Sequence, residues 1–487
     1  MNENPESERV IRQIVVVGGG VAGLSAAYTL QQESKSLPFP VSISVIDAEQ
    51  RLGGKIITEN VNGFTIEGGP DCFLRQKPWA AELAKTLGLK DDLLDTNDHQ
   101  RKTYVLIKGR LTPLPDGVML IVPTRIMPFV LSRLFSWPGK IRMGLDWFIP
   151  KYKGTSDESV GDFIRRRLGT EALDKLAEPL MSGIHVSDPE KQSLLATFPR
   201  FRNIEQKHGS MIRGMLAERK LAAQHRPANG KPASIFQSFI QGVGHLITAL
   251  EKALSGCTIY KSTKVTAIAP GVDGRYQLSL SNGQQVLADA IILAIPSFNA
   301  AELLQDLSPT AASQLNAIPY VSTATISMAF RKQDIHKPFM GFGFVIPRTE
   351  KREISACTWS SFKFDHRAPG DHLLLRCFVG GPGKEEMVEL DDETLVNVAR
   401  RELESILGLK AEPVLTRIYR WRKANPQYEV GHLDRVQQIF ATCRTEAPGI
   451  YLTGSAYEGV GIPDCINQGK KAAGQLLQFL QQERVAA

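Results

Sequence analysis

The sequence predicts an α/β fold that contains a dinucleotide-binding domain of the Rossmann type. Two observations indicate this fold: a glycine-rich turn joins a strand pattern to a helical pattern at residues 15–27, and a second such turn leads into a helix at residues 452–476. A chain of 487 residues exceeds what one hydrophobic core accommodates, so we expect two or three domains. The domain organisation must explain why the two turns lie at opposite ends of the chain.

The composition is that of an ordinary globular protein, with 43% hydrophobic and 22% charged residues. No apolar run approaches the roughly 20 residues of a membrane-spanning helix, and the polar first ten residues are unlike a signal peptide. Six scattered cysteines without a CxxC pair argue against zinc or a disulfide framework and fit a reducing cytoplasm. The net charge of +7 suits an anionic small substrate or a lipid surface and decides neither.

The first glycine-rich turn has the pattern of a pyrophosphate-binding loop. Residues 13–17 form a short apolar, β-branched run that predicts a buried parallel strand. The turn that follows reads Gly18, Gly19, Gly20, Val21, Ala22 and Gly23. Gly18 permits a tight turn, Gly20 lets the backbone approach the pyrophosphate, and Gly23 allows close packing of helix and strand. The phosphates then lie at the helix N-terminus, where free N–H groups favour negative charge.

A second strand, at residues 41–46, delivers Asp47 24 residues after Gly23. An acid at this distance binds the ribose hydroxyls of a dinucleotide. The alternative is an ordinary strand–helix turn, but strand, helix, second strand and acid in register favour the dinucleotide. This fingerprint leaves the choice between NAD and FAD open.

The run Arg51-Leu52-Gly53-Gly54-Lys55, with Glu67-Gly68-Gly69-Pro70-Asp71 after it, resembles the amine-oxidase-like FAD superfamily. In that superfamily glycine backbone and basic side chains meet the pyrophosphate and ribityl chain. The alternative is a hairpin turn with solvated charges. The resemblance implies FAD as cofactor, and we expect it to be noncovalent because no His or Cys stands at an attachment point.

The same resemblance explains the second glycine-rich turn, because the FAD domain of this superfamily is discontinuous. The chain leaves after the first unit and returns at its end to place one last strand and helix beside the flavin. Residues 449–454 are interpreted as that strand, residues 459–464 as the loop and residues 465–479 as the helix. The N-terminus of this helix can stabilise negative charge on the reduced flavin.

The middle of the chain supplies further pieces of the FAD domain. Residues 239–244 lead into a helical pattern at 245–254, and Val265 resembles the position whose backbone contacts the adenine. Strands are predicted at residues 258–260, 263–268 and 289–296, with a hairpin at 271–287.

Four stretches narrow the resemblance to the oxygen-dependent porphyrinogen oxidases of haem biosynthesis, specifically the soluble bacterial branch. They are residues 67–74, 178–184, 425–432 and 455–466. Gram-positive-type members oxidise coproporphyrinogen III to coproporphyrin III, whereas mitochondrial-type members act on protoporphyrinogen IX. An amine oxidase or carotenoid desaturase is the alternative enzyme, and a non-enzymatic flavoprotein is the third hypothesis.

The resemblance also implies residues for the cofactor and the substrate. Lys77 aligns with a lysine of the Bacillus-type enzymes and is predicted, with Arg75, to bind a propionate; the alternative is a solvated lysine. Gly183 and Ile184 are predicted to contact the substrate through a carbonyl and an apolar side chain. Residues predicted to bind FAD are Gly18, Gly19, Gly20, Val21, Ala22, Gly23, Asp47, Ala48, Arg51, Gly54, Lys55, Gly69, Pro70, Asp71, Cys72, Val265, Trp421, Val460, Gly461 and Ile462.

Two positions depart from the family pattern. Asp47 stands where relatives usually have Glu, and His185-Val186-Ser187-Asp188 replaces a Tyr-Ala-Gly-Asp-like run that covers the substrate.

The expected reaction removes six electrons from a tetrapyrrole in three steps, with oxygen reduced to hydrogen peroxide. Because the meso hydrogens are already activated, orientation over the flavin supplies much of the catalysis, and no catalytic acid, base or metal site is assigned. His366 and His372 are interpreted as solvated, and His432 as making a structural hydrogen bond. Trp421 is expected near the flavin ring, the alternative being an ordinary core position.

Residues 118–153 mix apolar side chains with six basic ones and a single acid, Asp146. The resemblance implies a helical domain here that covers the substrate. Its basic face either lies in water or makes peripheral contact with a membrane. Residues 222–234 are interpreted as a linker. We expect a cytoplasmic protein without nucleic-acid partners, and a hand-over of its product to the next haem-pathway enzyme is a further hypothesis.

Taken together, the fold class is α/β, with a discontinuous Rossmann-like FAD-binding domain, a mixed-sheet substrate domain and a helical insertion. The FAD-binding segments are predicted at residues 1–78, 231–300 and 440–487, the substrate-domain segments at 79–108 and 301–439, the helical domain at 109–204 and a substrate-domain linker at 205–230.

Overall fold

A five-stranded parallel sheet carries both glycine-rich turns. The computed structural model describes residues 11–115, 118–119, 122–123, 126–224, 234–336 and 339–486. In spatial order the strands are Thr258–Tyr260, Val41–Ile46, Arg12–Val17, Ala290–Leu293 and Ile450–Leu452. Every neighbouring pair is parallel, so the carboxyl ends of all five strands share one edge. The central strands are buried on both faces, which explains their continuous apolar sequence.

The first and last long helices of the chain pack against each other beside this sheet. They are Val21–Glu33 and Ile462–Ala486. A Cβ on Gly469 would lie 2.3 Å from the carbonyl oxygen of Ala22, so glycine permits this close approach. Helix Gly244–Ala253 joins the same hydrophobic core through Leu246 and Leu250. The two ends of the sequence therefore meet in one layered unit.

A second, larger sheet has seven strands and is mixed. In spatial order they are Leu415–Pro426, Tyr320–Arg331, His372–Gly380, Ile354–Trp359, Gly343–Val345, Thr103–Ile107 and Arg110–Pro113. Only the pair formed by Gly343–Val345 and Thr103–Ile107 is parallel. The long helix Asp392–Leu407 covers one face with Leu395, Val398 and Leu403.

The described residues also form smaller β units. Phe73–Leu74, Phe236–Phe239 and Leu93–Asp95 form one three-stranded sheet, and Val265–Pro270, Tyr276–Leu280 and Gln285–Ala288 form another. Two-stranded units are formed by Thr58–Val61 with Phe64–Glu67, and by Val118–Met119 with Val122–Pro123.

Residues 126–224 are mainly helical. The helices are Ile126–Leu131, Trp137–Gly144, Val160–Arg167, Thr170–Ala172, Leu173–Ala177 (a π-helical turn), Glu178–His185, Leu194–Thr197, Pro199–His208 and Met211–Gln224. Arg167 lies at the centre of this bundle and is fully buried, 2.5 Å from the carboxylate of Asp146 and 3.5 Å from that of Glu205. Further helices outside the bundle are Trp79–Thr86, Ser297–Leu304, Pro309–Asn316, Ser360–Lys363 and His432–Glu446.

The predicted α/β class, with a parallel sheet and a mixed sheet, is confirmed, and most predicted elements differ only in their ends. The last helix begins at Ile462 rather than at residue 465, because Pro463 is well suited to a first helical turn. The strand predicted from Thr263 begins at Val265, since the Thr263 N–H bonds to the Asp47 carbonyl outside the ladder. Of the predicted linker, residues 225–233 lie outside the described residues, as do residues 1–10. No helix in the described ranges is both long and apolar enough to cross a membrane.

Candidate functional site

The first glycine-rich turn leaves the carboxyl edge of the parallel sheet between Val17 and helix Val21–Glu33. Gly18 has a φ of +104°, and a Cβ there would lie 2.5 Å from the carbonyl oxygen of Ala294. A Cβ on Gly23 would lie 1.9 Å from the Gly18 carbonyl, so both positions require glycine. Gly20 differs, because a Cβ on it would meet no atom within 4 Å. The turn therefore has one open side, next to a helix N-terminus that no side chain caps.

Asp47 lies directly after strand Val41–Ile46 and faces this turn. Its carboxylate accepts the Gly19 N–H at 2.5 Å and the Glu49 N–H at 2.8 Å. The Asp47 main chain bonds to Tyr260 and Thr263, which brings Asp47 close to strand Val265–Pro270. Val265 itself is buried, at 3% exposure, in the core behind the sheet. Gly19, Asp47 and the segment before Val265 thus lie together at the carboxyl edge of the sheet.

Arg51 shapes the second part of the loop from within. Its guanidinium donates to three carbonyl oxygens, those of Leu52, Gly54 and Ile56, at 2.6–2.9 Å. Burial lowers the pKa of Arg51, and the nearby carboxylates of Asp47 and Glu49 oppose this. Arg51 therefore folds the loop rather than projecting freely from it.

Lys55 is a half-buried cation between the two sheets. Its ammonium donates to the carbonyl oxygen of Ala424 and, at 3.1 Å, to the hydroxyl of Ser455. Burial lowers the pKa of Lys55 to about 8. The Lys55 carbonyl lies 1.7 Å from where a Cβ on Gly69 would stand, so the loop at Gly69 is pressed against Lys55.

The loop around Gly68 is held by the mixed sheet. The Gly68 carbonyl accepts hydrogen bonds from Trp421 Nε1 at 2.9 Å, Thr325 Oγ1 at 3.2 Å and Arg376 Nη2 at 3.2 Å. Arg376 also donates to the Gly69 carbonyl at 2.5 Å. Trp421 therefore reaches the loop predicted to bind the flavin, although through its indole N–H to the backbone.

Asp71 and Cys72 share one partner, Lys363, from a short helix of the mixed-sheet region. Lys363 Nζ lies 2.8 Å from Asp71 Oδ2 and 3.3 Å from Cys72 Sγ. Burial alone would raise the pKa of Asp71, but the charges of Lys363 and Arg376 outweigh it and hold this pKa well below its usual range. Burial also raises the pKa of the Cys72 thiol to about 12. Asp71 is consequently an anion and Cys72 a neutral thiol at ordinary pH.

Glu67 is the least expected member of the site. Its carboxylate accepts the Thr58 hydroxyl at 2.6 Å and the Val243 N–H at 2.8 Å, and only 5% of the residue is exposed. Burial raises the pKa of Glu67 to about 7, against the hydrogen bond from Thr58 and the charge of Arg367. The sequence motif at residues 67–71 contains Glu67, but the motif assigns it no role. A charged residue inside the apolar pattern at residues 64–67 was the available signal.

The closing loop lies at the same sheet edge, after strand Ile450–Leu452. Gly454 and Gly459 have φ values of +123° and +128°. A Cβ on Gly459 or Gly461 would lie 2.9 Å from Asp464 Oδ2, so glycine lets the loop fold onto the start of the last helix. Thr453 and Ser297, which follow neighbouring strands, have buried hydroxyls without a hydrogen-bond partner. Such groups, with the open side of Gly20, fit a polar ligand laid along this edge.

The four residues predicted to bind the substrate lie in three separate places. Lys77 forms an ion pair with Asp464, in the first turn of the last helix, at 2.6 Å. Arg75 pairs with Asp95 at 3.1 Å on the exposed surface. Gly183 and Ile184 belong to helix Glu178–His185, which lies in the helical bundle. The structure therefore joins Lys77 to the closing loop, and the substrate roles of all four residues stay predictions.

Among the histidines, His432 makes the structural hydrogen bond that was predicted. Its Nε2 lies 2.9 Å from the Tyr457 carbonyl, and burial lowers its pKa to about 4. His372 pairs with Asp371 at 2.7 Å. In the part of the chain that the structure describes, no three His, Cys, Asp or Glu side chains are grouped to hold a metal ion.

Comparison with known proteins gives a consistent result. Residues 21–477 match the family described as flavin containing amine oxidoreductase. The chain is 39% identical to a coproporphyrinogen III oxidase of Bacillus subtilis, over 96% of this chain and 98% of that protein. It is 30% identical to a chloroplastic protoporphyrinogen oxidase of Spinacia oleracea, over 96% and 84% of the two chains. A provisionally assigned protoporphyrinogen oxidase structure from Exiguobacterium superposes with a TM-score of 0.85 at 35% identity, over 96% and 99% of the two chains.

Proposed function

Because the chain belongs to the flavin-containing amine oxidoreductase family, we propose that it is an FAD-dependent oxidase that converts coproporphyrinogen III to coproporphyrin III. Coproporphyrinogen III oxidases of Bacillus subtilis and Staphylococcus aureus are 39% and 36% identical to it over nearly their full lengths. Protoporphyrinogen oxidases are more distant, at 30% identity, so protoporphyrinogen IX is the second candidate substrate.

The observation that carries this function is the meeting of three loops at one edge of the parallel sheet. The loops are residues 18–23, 51–55 and 453–461, and they come from both ends of the chain. An open glycine and two buried hydroxyls without partners lie along this edge. This arrangement suits an elongated ligand with a pyrophosphate at its centre, as FAD has.

When bound, FAD accepts a hydride from a carbon atom and passes electrons to oxygen. The residues of the chain orient the reactants. We propose that Asp47 binds the ribose, that the turn at Gly20 receives the pyrophosphate, and that the N-terminus of helix Ile462–Ala486 stabilises negative charge. No acid or base is assigned, because positioning of an activated carbon atom supplies much of the rate enhancement.

Anaerobic mixing tests the function. The purified yellow protein is mixed with coproporphyrinogen III, and the flavin absorbance is followed. We expect bleaching, followed in air by fluorescent coproporphyrin III and hydrogen peroxide. A flavin that stays oxidised with both porphyrinogens, while dithionite reduces it, would contradict the proposal and favour a non-enzymatic flavoprotein.

We infer that FAD is held noncovalently. All cysteines are free thiols, and Cys465, the cysteine nearest the closing loop, is buried with its pKa raised by burial to about 12, which leaves it unreactive. Acid precipitation should release the flavin completely. Yellow colour in the washed pellet would contradict this inference.

We also propose the domain division given by the sequence, with the FAD-binding domain in three segments at residues 1–78, 231–300 and 440–487. The five strands of the parallel sheet all fall within these segments, and the helical bundle falls mainly within residues 109–204.

A patch on the helical bundle supports peripheral contact with an anionic membrane surface. Seven large apolar side chains are 41–78% exposed within 22 residues: Met127, Leu131, Trp137, Ile141, Leu145, Trp147 and Phe148. Arg133, Lys151 and Lys153 are exposed around them, while Asp146, the one acid of this stretch, is buried. Exposed tryptophans with basic neighbours match a lipid interface, so we propose an anionic lipid surface as the occupant.

Vesicle sedimentation tests this contact. The protein should pellet with vesicles that contain phosphatidylglycerol more than with pure phosphatidylcholine, and Phe148→Glu should abolish the difference. Met340→Glu, a change at another exposed apolar side chain, is the matched control. Equal pelleting with both lipids would contradict the proposal. Self-association, or binding of the enzyme that receives the product, would assign the patch to a protein partner instead.

The free thiols fit the reducing cytoplasm, where we place the protein.

A further inference from the structure

Tyr428 and His432 form a buried aromatic pair between the strand Leu415–Pro426 and the closing loop. Their ring centroids are 4.0 Å apart and their planes differ by 12°. Tyr428 is 5% exposed and His432 fully buried. Because burial lowers the pKa of His432 to about 4, its ring is neutral at ordinary pH. The pair is therefore an uncharged, rigid unit.

This pair fixes residues 455–459 at three backbone atoms. The Tyr428 hydroxyl donates to the Ser455 carbonyl at 2.8 Å and accepts the Gly459 N–H at 2.9 Å. His432 Nε2 donates to the Tyr457 carbonyl at 2.9 Å. The next residue after Gly459 opens the stretch Val460, Gly461 and Ile462, which is predicted to meet the flavin. The Tyr428 hydroxyl thus bonds to both ends of the loop that leads to the predicted flavin contacts.

Residues 427–432 also form hydrogen bonds with residues 186–193, which follow helix Glu178–His185. The Ser193 N–H donates to the Tyr428 carbonyl at 2.7 Å. The Gln427 side chain donates to the Val186 carbonyl at 3.2 Å, and the Val430 N–H donates to the Lys191 carbonyl at 3.0 Å. Segment 427–432 consequently joins the closing loop to the helix that carries Gly183 and Ile184.

We propose that Tyr428 is a positioning residue that fixes the closing flavin loop relative to the helix that carries Gly183 and Ile184, which are predicted to contact the substrate. The identity of the two ligands rests on the proposed function, whereas the contacts belong to the chain itself. Removing the hydroxyl leaves a carbonyl and an N–H without partners in a buried place, so the loop loosens. A loosened loop no longer holds the N-terminus of helix Ile462–Ala486 against negative charge on the reduced flavin.

Tyr428→Phe tests this role because it keeps the stacked ring. We expect the FAD dissociation constant, titrated on flavin-free protein, to rise about tenfold, and the flavin reduction potential to fall, measured against a reference dye. Tyr276→Phe is the matched control, because Tyr276 also donates from a mostly buried position to a carbonyl, that of Pro448. It should lower Tm to a similar extent and leave both flavin properties unchanged.

A second variant tests the contact between segment 427–432 and the residues that follow helix Glu178–His185. Gln427→Ala breaks the contact with Val186 without touching residues 455–459. It should raise KM for coproporphyrinogen III about threefold and leave the FAD dissociation constant unchanged.

Two results would overturn the proposal: unchanged flavin affinity and potential in Tyr428→Phe, or equal changes in Tyr276→Phe. Hydrogen exchange of the wild-type holoenzyme needs no substitution. Added coproporphyrin III should slow exchange in peptides around Ser193 and Gly459 together, and protection confined to Ser193 would contradict the link. A wild-type protein inactive with porphyrinogens would refute the proposed function, while the flavin measurements would still decide the role of Tyr428.

Discussion

At the scale of single residues, the glycines of the first turn are there for different structural reasons. Gly18 and Gly23 are required by the fold, because a Cβ on either would overlap backbone atoms. The fold does not require glycine at position 20, because a Cβ there would point into open space, and the proposed pyrophosphate is the reason that we infer for it. Gly20→Val should therefore fold normally and purify without flavin.

The ratio of flavin absorbance to protein absorbance measures flavin content, and Tm of the flavin-free forms measures folding. Gly474→Val, at another glycine with open space around its Cβ, is the control and should keep its flavin. A Gly20→Val protein with full FAD would show that the pyrophosphate lies elsewhere.

Glu67 gives a pH prediction. Burial raises its pKa from 4.5 to about 7, so the folded protein binds this proton more tightly than the unfolded chain does. Its contribution to stability is therefore greatest below pH 4.5 and is lost as the pH rises to 7. Glu67→Gln removes the titration, and its free energy of unfolding relative to wild type should improve between about pH 5 and 8, by about 3 kcal/mol at most.

Thermal unfolding of both proteins at the two pH values measures the difference. The exposed Glu82→Gln is the control and should show no such trend. A Glu67→Gln variant that loses relative stability as pH rises would contradict the assigned direction.

Two residues that sequence reasoning missed, Arg376 and Lys363, reach the site from distant parts of the sequence. Arg376 reaches the Gly69 carbonyl across 307 positions of sequence, and Lys363 reaches Asp71 across 292. Lys77 pairs with Asp464 across 387 positions. Local patterns predicted Gly18, Gly23 and Asp47, because a strand, a turn and a helix determine one another within roughly 35 residues. Long-range partners depend on how two sheets pack, and a single sequence has no period that reports it.

At the scale of elements, the helical bundle is centred on a fully buried arginine. Arg167 is fully buried and contacts the carboxylates of Asp146 and Glu205. Arg167→Ala leaves Asp146 buried without a cation, while Glu205 keeps its ion pair with Arg166, so the loss should be about 3–5 kcal/mol. Arg165→Ala, two positions away on the same helix, breaks only exposed pairs and should cost about 0–1 kcal/mol.

Urea unfolding followed by tryptophan fluorescence compares the two variants, since Trp137 and Trp147 lie in this bundle. Equal losses in the free energy of unfolding of both variants would mean that the contacts of Arg167 do not hold the helices together.

The last helix also determines what Lys77 can do. Its ammonium bridges to Asp464 in the first turn, and 41% of the Lys77 side chain is exposed. The ammonium can therefore contact an incoming carboxylate while it stays near the closing loop. Lys77→Ala should raise KM for coproporphyrinogen III with little change in kcat. Lys85→Ala, at an exposed lysine of the next helix, should change neither, and a fall in kcat alone would assign Lys77 to the loop rather than to the substrate.

At the scale of the whole molecule, the chain ends proved the most informative part of the sequence. Gly469 on the last helix packs on Ala22 of the first, so the resemblance that joined the two glycine-rich turns corresponds to a physical contact. The seven-stranded order of the second sheet was not predicted, because it pairs strands from residues 103–113 with strands from 320–426. Register between such distant strands is determined by the packed face and has no local signal.

The preference between the two porphyrinogens is also a property of the whole molecule. Coproporphyrinogen III has four propionates, whereas protoporphyrinogen IX has two, and the chain has a net charge of +7. A charge-assisted hydrogen bond from Lys77 or Arg75 to a carboxylate is worth about 1.5–3 kcal/mol, and a substrate without that carboxylate leaves the base unpaired. Lys77 and Arg75 already form ion pairs with Asp464 and Asp95. A substrate carboxylate must displace these partners, which offsets part of the gain.

We therefore expect kcat/KM to favour coproporphyrinogen III over protoporphyrinogen IX by about tenfold, which corresponds to about 1.4 kcal/mol. Side-by-side steady-state kinetics at matched solubility measure the ratio, and equal or faster turnover of protoporphyrinogen IX would reverse the choice of substrate while leaving the flavin site unchanged.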